Sequence, residues 1–300
     1  MREPCAVVIV ELNDVKGATM TTTNLNSVDL YYETVGAGPR LVLTHGSWTD
    51  GSGWAPVVAA LAGRYEVVTW DRRGHSRSES GPGPGSRAED AADLAALIEH
   101  LGGGPVHVAG NSYGAILTLT LVTTRPELVA SAAVHEPPAL ALLEGSSDPD
   151  VAAVLGSLDQ AFIRVTGLIE SGDHRAAAEH FIDQIALGPG SWEQLPDPFR
   201  ATLEANAPTF LDEARDPTSG SVDAAALAAT TVPLLLTSGS ESPSFFSAVI
   251  GELAVLVPTA QIVTIAGAGH IPHATHPDQW VATLLAFHDT ITTSAHGALR

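Results

Sequence analysis

The chain has one cysteine in 300 residues, Cys5, so an intramolecular disulfide is excluded. Basic residues are also few: 14 lysines and arginines stand against 34 aspartates and glutamates, and the formal net charge is −20. Such a charge repels phosphate backbones and anionic membrane surfaces. No unbroken apolar run reaches the roughly 18 residues of a membrane span. We therefore expect a cytoplasmic globular protein with neither a nucleic-acid nor a membrane partner.

The N-terminal segment shows no pattern of a targeting sequence. Its apolar run at residues 6–10 is too short for the core of a signal peptide and follows an acidic residue, Glu3. Met20 is a second candidate for the first residue, so the sequence leaves open whether translation begins at Met1 or at Met20. We expect residues 1–19 to form a disordered extension.

Short β-rich segments alternate with longer alanine-rich segments from Val28 onward. Strands that alternate with helices form a mostly parallel sheet with helices on both faces. The alternation stops near Pro137 and resumes in the last quarter of the chain. The segment between them has helical patterns and no convincing strand. We predict an α/β core domain of residues 20–138 and 231–300, with a helical lid inserted at residues 139–230.

A serine stands between two glycines in the segment Gly110–Gly114, GNSYG. A β-rich run precedes it and an apolar helical run follows it, so Ser112 lies where a strand turns sharply into a helix. Glycines on both sides let the two backbones approach, and the turn presents the serine side chain above the sheet edge. The pattern predicts a nucleophilic serine, with the amide of Tyr113 as one donor to an oxyanion beside it.

A second oxyanion donor is predicted after an earlier strand. His45 ends that strand, and Gly46 lets the backbone turn across the site. The amide of Ser47 is then placed beside that of Tyr113.

His270 follows the last predicted strand and precedes the last predicted helix. Nucleophile, acid and histidine are expected in this chain order, and His270 is the histidine in the right place. We predict that it is the general base for Ser112. A metal site of His270, His273 and His276 is an alternative, but these residues lie in a loop broken by proline, and we predict no metal.

Four motifs occur in an order that resembles the α/β-hydrolase fold over Val28–Thr290. They are HGSW (45–48), DRRGHSRS (71–78), GNSYG (110–114) and GAGHIPH (267–273). The resemblance implies the sheet, the covering helices and the lid described above. One departure is His75, which stands where the family commonly has a second glycine, and we expect only a local effect on that turn.

Two glutamates compete to be the acid that orients the histidine. Glu241 lies one residue short of the usual position of the acid in many α/β-hydrolases, which here holds Ser242. Glu136 follows the strand expected beside the serine turn. The segments VHEPP, SESPSFF and HIPHATHPD are similar to those of the zearalenone-type lactone hydrolases, in which a glutamate after that earlier strand is the acid. The resemblance favours Glu136 and leaves Glu241 as the alternative.

These residues predict a serine hydrolase that cleaves an ester or lactone of a hydrophobic, low-charge small molecule through an acyl-enzyme. No metal or organic cofactor is needed, and we expect a monomer or a homodimer. Aromatic residues are the candidates for an apolar substrate pocket. They are Trp48, Trp192 and Phe210, with Phe162, Phe181 and Phe199 in support.

Two other functions remain open on the same residues. The triad also serves C–C bond hydrolysis and cofactor-free perhydrolysis, which the serine turn does not distinguish from ester cleavage. A protein of this fold can also bind a small molecule without turning it over.

Overall fold

Eight strands form a single sheet. The computed structural model describes residues 18–146 and 149–297 of the chain. The strands are β1 (Thr19–Leu25), β2 (Val28–Gly36), β3 (Arg40–Thr44), β4 (Glu66–Trp70), β5 (Val106–Asn111), β6 (Val129–His135), β7 (Leu234–Gly239) and β8 (Gln261–Ile265). Their order across the sheet is β1-β2-β4-β3-β5-β6-β7-β8.

Helices join and cover these strands. In the described part of the chain they are α1 (Ala55–Leu61), α2 (Arg87–His100), α3 (Tyr113–Thr124), α4 (Pro149–Glu170), α5 (His174–Phe181), α6 (Asp197–Asn206), α7 (Phe210–Arg215), α8 (Ala224–Ala228), α9 (Ser244–Leu256), α10 (Pro272–Thr275) and α11 (Pro277–Gly297).

The sheet is parallel from β4 to β8 and antiparallel at one edge, where β2 pairs with both β1 and β4. The prediction of a mostly parallel sheet is confirmed. The edge strand β1 was not predicted, because its threonine-rich sequence lacks the apolar run of a buried strand. Of the predicted disordered extension, residues 1–17 lie outside the described residues, and Thr19 already belongs to β1.

Each face of the sheet carries its own buried core. Successive side chains of a strand point to opposite faces. In β3, Val42 belongs to the same buried cluster as Ile116 of α3, whereas Leu41 belongs to the other cluster, with Val57 of α1 and Leu284 of α11. The strands are therefore apolar on both faces, as a sheet covered by helices on both sides requires.

The connection from β5 to α3 is a single residue, Ser112, with φ 55° and ψ −124°. The sharp turn drives the start of α3 against the end of β3. A Cβ added to Gly114 would lie 2.2 Å from the carbonyl oxygen of Thr44, which is far inside contact distance. Only glycine fits there without moving the backbone.

Helix α3 is helical despite its many β-branched residues. Thr118 donates its hydroxyl to the carbonyl of Gly114 at 2.8 Å, and Thr120 donates to that of Ile116 at 2.9 Å. These bonds satisfy hydroxyl groups in an apolar setting.

The segment between β6 and β7 is helical wherever it is regular. Within residues 139–146 and 149–230 the described chain has no strand. It holds α4 to α8, and α5 continues into a π-helical turn at Ile182–Ala186. The role of a lid and its boundaries stay predictions.

Helix α4 is amphipathic. Its buried residues Leu158, Ala161, Val165 and Ile169 form one stripe along the helix. By length and composition alone α4 could also cross a membrane, which we did not expect from the sequence. The spacing of the stripe is that of a helix packed on a protein core.

Replacing Gly114 with alanine should destabilise the protein by about 1 to 3 kcal/mol, because the new methyl group collides with the Thr44 carbonyl. Gly156→Ala is the matched control. Gly156 lies in α4 with no atom within 4 Å of an added Cβ, so this change should stabilise by about 0.5 to 1 kcal/mol. Chemical denaturation measures both free energies of unfolding. Equal stability of the two variants would contradict the close approach of α3 and β3.

Candidate active site

Ser112 lies at the carboxyl end of β5, near the middle of the sheet, and its half-buried side chain faces a cavity. Its positive φ is held in part by a hydrogen bond from its amide to the carbonyl of His135 at 2.9 Å. Residues held in such strained conformations cluster at active sites and ligand clamps. The predicted sharp turn is thus present, with the serine at its tip.

His270 lies in the loop after β8 and forms a short hydrogen bond with Glu136. Its Nδ1 is 2.6 Å from Oε2 of Glu136. The other carboxylate oxygen, Oε1, accepts the amide of Gly239 at 2.7 Å, and the amide of Glu136 itself donates to the carbonyl of Thr237 at 3.1 Å. Of the two glutamates proposed from the sequence, Glu136 is the one bonded to the histidine. Glu241 is exposed beyond the end of β7.

The electrostatics of this pair favour a charged carboxylate beside a neutral imidazole. Burial alone would raise the pKa of Glu136, but the imidazoles of His135 and His270 outweigh it and hold that pKa well below its usual range. Burial lowers the pKa of His270, and the bond to Glu136 offsets this only in part. With Nδ1 donating to the carboxylate, Nε2 of His270 is available to accept a proton.

Two further residues hold His270 in place, and sequence reasoning missed both. The side-chain amide of Asn111 donates to the backbone carbonyl of His270 at 2.8 Å. The ring of Phe246 stacks on the imidazole with 4.1 Å between centroids. Asn111 stands inside the GNSYG motif, so its place beside the serine was a usable signal. Phe246 carried none.

Ser112 and His270 line the same cavity. No hydrogen bond joins their side chains in the described structure. In sites without substrate the contact between nucleophile and base is commonly long and tightens in the bound complex.

The turn after β3 passes directly beside Ser112. A Cβ added to Gly46 would lie 3.0 Å from Cβ of Ser112. Ser47, the next residue, and Tyr113, the first residue of α3, both line the cavity. The two predicted oxyanion donors therefore flank the serine, and their role stays a prediction.

The cavity has a volume of about 480 Å³. Five phenylalanines line it: Phe162, Phe181, Phe210, Phe245 and Phe246. Glu213 and Asp159 add carboxylates to the wall, and no lysine or arginine is among its described lining residues. The space suits an apolar molecule without negative charge.

Trp48 was predicted to line this pocket, and it does not. Its side chain is fully buried behind the wall, where it packs against Phe181 at 4.9 Å and Phe210 at 5.2 Å between ring centroids. An indole contributes most where all its faces are in contact, as they are here. The phenylalanines cover the tryptophan and present the cavity surface.

Trp192 was also predicted to line the substrate pocket, and it does not. It is fully buried within the insertion, with the guanidinium groups of Arg175 and Arg200 lying 5.9 and 5.7 Å from its ring centre. This is an arrangement of cation–π type that holds helices of the insertion together. Phe199 lines a second cavity, of about 40 Å³, which also touches Ser112 and His270.

Among the described residues, His135, Glu136 and His270 are close enough to hold a metal ion, with ligand atoms within 4.8 Å of one another. In this cluster His270 is bonded to one oxygen of Glu136, and the other oxygen accepts the amide of Gly239. The alternative trio in the loop is not gathered for ligation, since His273 packs on Trp54 with ring centroids 4.1 Å apart.

The similarity of the chain to known proteins includes the residues of this site. The model of the alpha/beta hydrolase family matches residues 41–284, which include the ends of β3, β5 and β6 and the loop of His270. The chain belongs to the alpha/beta hydrolase family. It is accordingly a hydrolase, as its relatives also indicate.

Two curated relatives of this alpha/beta hydrolase are 30% identical to it. RutD of Azorhizobium caulinodans, named as a carbamate hydrolase, aligns over 271 residues, 86% of this chain and 94% of its own. A pimeloyl-[acyl-carrier protein] methyl ester esterase of Xanthomonas oryzae aligns over 261 residues, 86% of this chain and 98% of its own.

Solved structures show the same fold. An alpha/beta hydrolase of Sphaerobacter thermophilus superposes with a TM-score of 0.73 at 27% identity, over 89% of this chain and all of its own. An enol-lactonase of Burkholderia xenovorans gives a TM-score of 0.72 at 21% identity, over 90% of this chain and all of its own.

Several histidines of this alpha/beta hydrolase are buried in neutral form. Burial lowers the pKa of each of them, and it lowers those of His273 and His288 to about 3. The unfolded chain takes up these protons near the ordinary value of 6.5. Because the unfolded state then binds more protons, stability falls as the pH drops below 6.5. The group comprises His45, His75, His270, His273 and His288.

The free energy of unfolding should therefore decrease between pH 6.5 and about 5, and His273→Gln should reduce that slope. His273 is 7% exposed, and its Nδ1 has no hydrogen-bond partner. Removing it should lower the slope by about 1 kcal/mol per pH unit. Urea denaturation of the wild type and the variant across this range measures both slopes. Equal slopes would show that His273 accepts a proton inside the folded protein.

Proposed function

We propose that the chain hydrolyses carboxylic esters or lactones of neutral, largely apolar small molecules through a triad of Ser112, His270 and Glu136. The observation that carries this is the 2.6 Å bond between His270 and a buried carboxylate, beside a strained serine that opens onto the same cavity. A relative at 30% identity is named as a methyl ester esterase, which supports ester cleavage.

The first half of the reaction acylates the serine. Nε2 of His270 accepts the hydroxyl proton of Ser112 while the serine oxygen attacks the carbonyl carbon. Glu136 stabilises the imidazolium that forms, and the amides of Ser47 and Tyr113 donate to the oxyanion. The imidazolium returns the proton to the departing alcohol oxygen as the C–O bond breaks, leaving an acyl-serine.

The second half releases the acid. His270 takes a proton from water, and the resulting hydroxide attacks the acyl carbon. The tetrahedral intermediate collapses with cleavage of the bond to Ser112, and His270 protonates the serine oxygen. The enzyme returns to its starting state without a cofactor in either step.

The cavity wall supports a substrate without negative charge. Its surface is mostly phenylalanine and aliphatic, so apolar groups gain free energy by leaving water. Asp159 lies in the wall and would repel an anionic substrate, whereas the charge of Glu213 is offset by its ion pair with Arg72. The similarity to zearalenone-type lactone hydrolases stays a prediction within this substrate class.

A panel of neutral aromatic esters, aliphatic esters and lactones, assayed with the wild type and three variants, tests the triad. Ser112→Ala should lower kcat by about 10⁴-fold or more, and Glu136→Gln by about 10³ to 10⁴-fold because the imidazole loses its orientation and its counter-charge. Glu241→Gln, the same substitution at the exposed alternative, should leave kcat unchanged. Loss of activity in Glu241→Gln with a functional Glu136→Gln would overturn the assignment.

Covalent labelling separates an enzyme from a protein that only binds its ligand. A fluorophosphonate probe should label the wild type stoichiometrically at Ser112 and leave Ser112→Ala unlabelled, because the probe needs an activated nucleophile. A folded wild type that ignores the probe would indicate a binding protein.

The pH profile of kcat/KM should report a pKa of the general base below the ordinary histidine value. Because neutral His270 is the active form and its pKa is lowered from 6.5, kcat/KM should rise with pH, and the midpoint of this rise should lie below pH 6.5. In Glu136→Gln the rising limb should shift to still lower pH, since the carboxylate that raises this pKa is lost. An acidic limb centred above pH 7 would contradict the assignment of the base.

A further inference from the structure

The turn at residues 45–49, which we call the glycine turn, carries the amide of Ser47 and has a strained backbone. Trp48 has a φ of 68°, in the left-handed region that a bulky residue rarely adopts. Such a conformation persists only where surrounding contacts fix it. What holds this turn therefore decides where the Ser47 amide lies.

A carboxylate of the helical insertion contacts the glycine turn directly. The hydroxyl of Ser47 donates to Oε2 of Glu213, a residue of α7, at 2.5 Å. Oε1 of Glu213 accepts from Nη2 of Arg72 at 2.5 Å. Glu213 is 6% exposed, and Arg72 is fully buried. A buried ion pair with hydrogen bonds to both oxygens has little freedom to move, so it fixes the serine side chain.

Arg72 also contacts the turn from the side of the sheet. Its amide donates to Nε2 of His45 at 2.9 Å, and its Nη2 lies 3.5 Å from the carbonyl of Gly46. One guanidinium thus joins the core to the turn and to α7. Its positive charge also neutralises Glu213, which would otherwise oppose an oxyanion beside Ser47.

A second residue of the insertion satisfies the backbone of the turn. The side-chain amide of Asn206, the last residue of α6, lies 3.2 Å from the carbonyl of Trp48 and 3.2 Å from that of Thr49. Its Oδ1 accepts the amide of Ser76 at 2.8 Å. Asn206 is 2% exposed. The carbonyls of Trp48 and Thr49 would otherwise lack a hydrogen-bond donor in the strained turn, and Asn206 of the insertion supplies it.

We propose that Glu213 and Asn206 are positioning residues, through which the helical insertion holds the Ser47 amide in place to bind the oxyanion. This rests on the proposed function. The elements that supply Ser112, His270 and Glu136 belong to the core, whereas the oxyanion site is complete only with α6 and α7 seated on the glycine turn.

The experiment is a double-mutant cycle of Glu213→Gln and Ser47→Ala, assayed on an ester that the wild type hydrolyses. Each single change should lower kcat by about 10 to 100-fold with KM changed by less than about threefold, somewhat less than the loss of an oxyanion donor itself. The double variant should be no slower than the slower single variant, because each change removes the same charge-assisted bond between Ser47 and Glu213. Asn206→Asp should lower kcat in the same way.

Binding of an oxyanion mimic separates positioning from a general loss of structure. Affinity for a trifluoromethyl ketone, which forms a tetrahedral adduct with the serine, should fall by the same factor as kcat/KM. Glu170→Gln is the matched control. It breaks an exposed ion pair from α4 to Arg215 of the same helix α7, 2.6 Å long, and should change neither quantity.

Three outcomes would overturn the inference. Multiplicative losses in the double variant would mean that Glu213 and Ser47 act separately, and a rise in KM alone would make Glu213 a substrate contact. Ser47→Ala leaves the pair of Glu213 with Arg72 intact, so an unchanged kcat in this variant counts against the inference even where Glu213→Gln does not fold. If the fluorophosphonate fails to label Ser112 in the wild type, the proposed function itself is wrong.

Discussion

One buried carboxylate joins the parts of the chain that form the candidate site. The backbone of Glu136 continues the pairing of β6 with β7, one of its oxygens accepts the amide of Gly239, and the other accepts Nδ1 of His270. A buried charge without such donors costs several kcal/mol. Satisfying it fixes the loop after β8 and the plane of the imidazole. The amide of Ser112 bonds to the preceding carbonyl, that of His135, so Ser112 and His270 are both bonded to the end of β6.

The core and the insertion contribute different residues to the candidate site. The core presents the proposed nucleophile and base close to strand ends, where backbone geometry is rigid. The insertion supplies most of the cavity wall, and its residues Glu213 and Asn206 form hydrogen bonds to the glycine turn that carries Ser47. In the proposed mechanism, substrate selection and oxyanion binding are thus linked in the same helices.

Ser112 and His270 could be predicted from the sequence because each follows a strand within a short, ordered motif. Glu136 could be predicted from its place after a strand, together with the resemblance to zearalenone-type lactone hydrolases. The sequence did not reveal Glu213 or Asn206, because their partners are 130 or more residues away and no local pattern marks them. The two tryptophans were misplaced for a related reason. Composition shows that aromatic residues are available, but tertiary packing decides which side of a wall each one occupies. The edge strand β1 escaped prediction because half of it faces solvent.

The acidic wall of the cavity bears on what happens after bond cleavage. In the proposed reaction, ester hydrolysis turns a neutral molecule into a carboxylate, and that anion arises in a cavity whose wall includes Asp159, within a chain of formal net charge −20. Like charges repel, so this negative field favours the departure of the anion. The acid should consequently be expelled soon after it forms, with weak product inhibition.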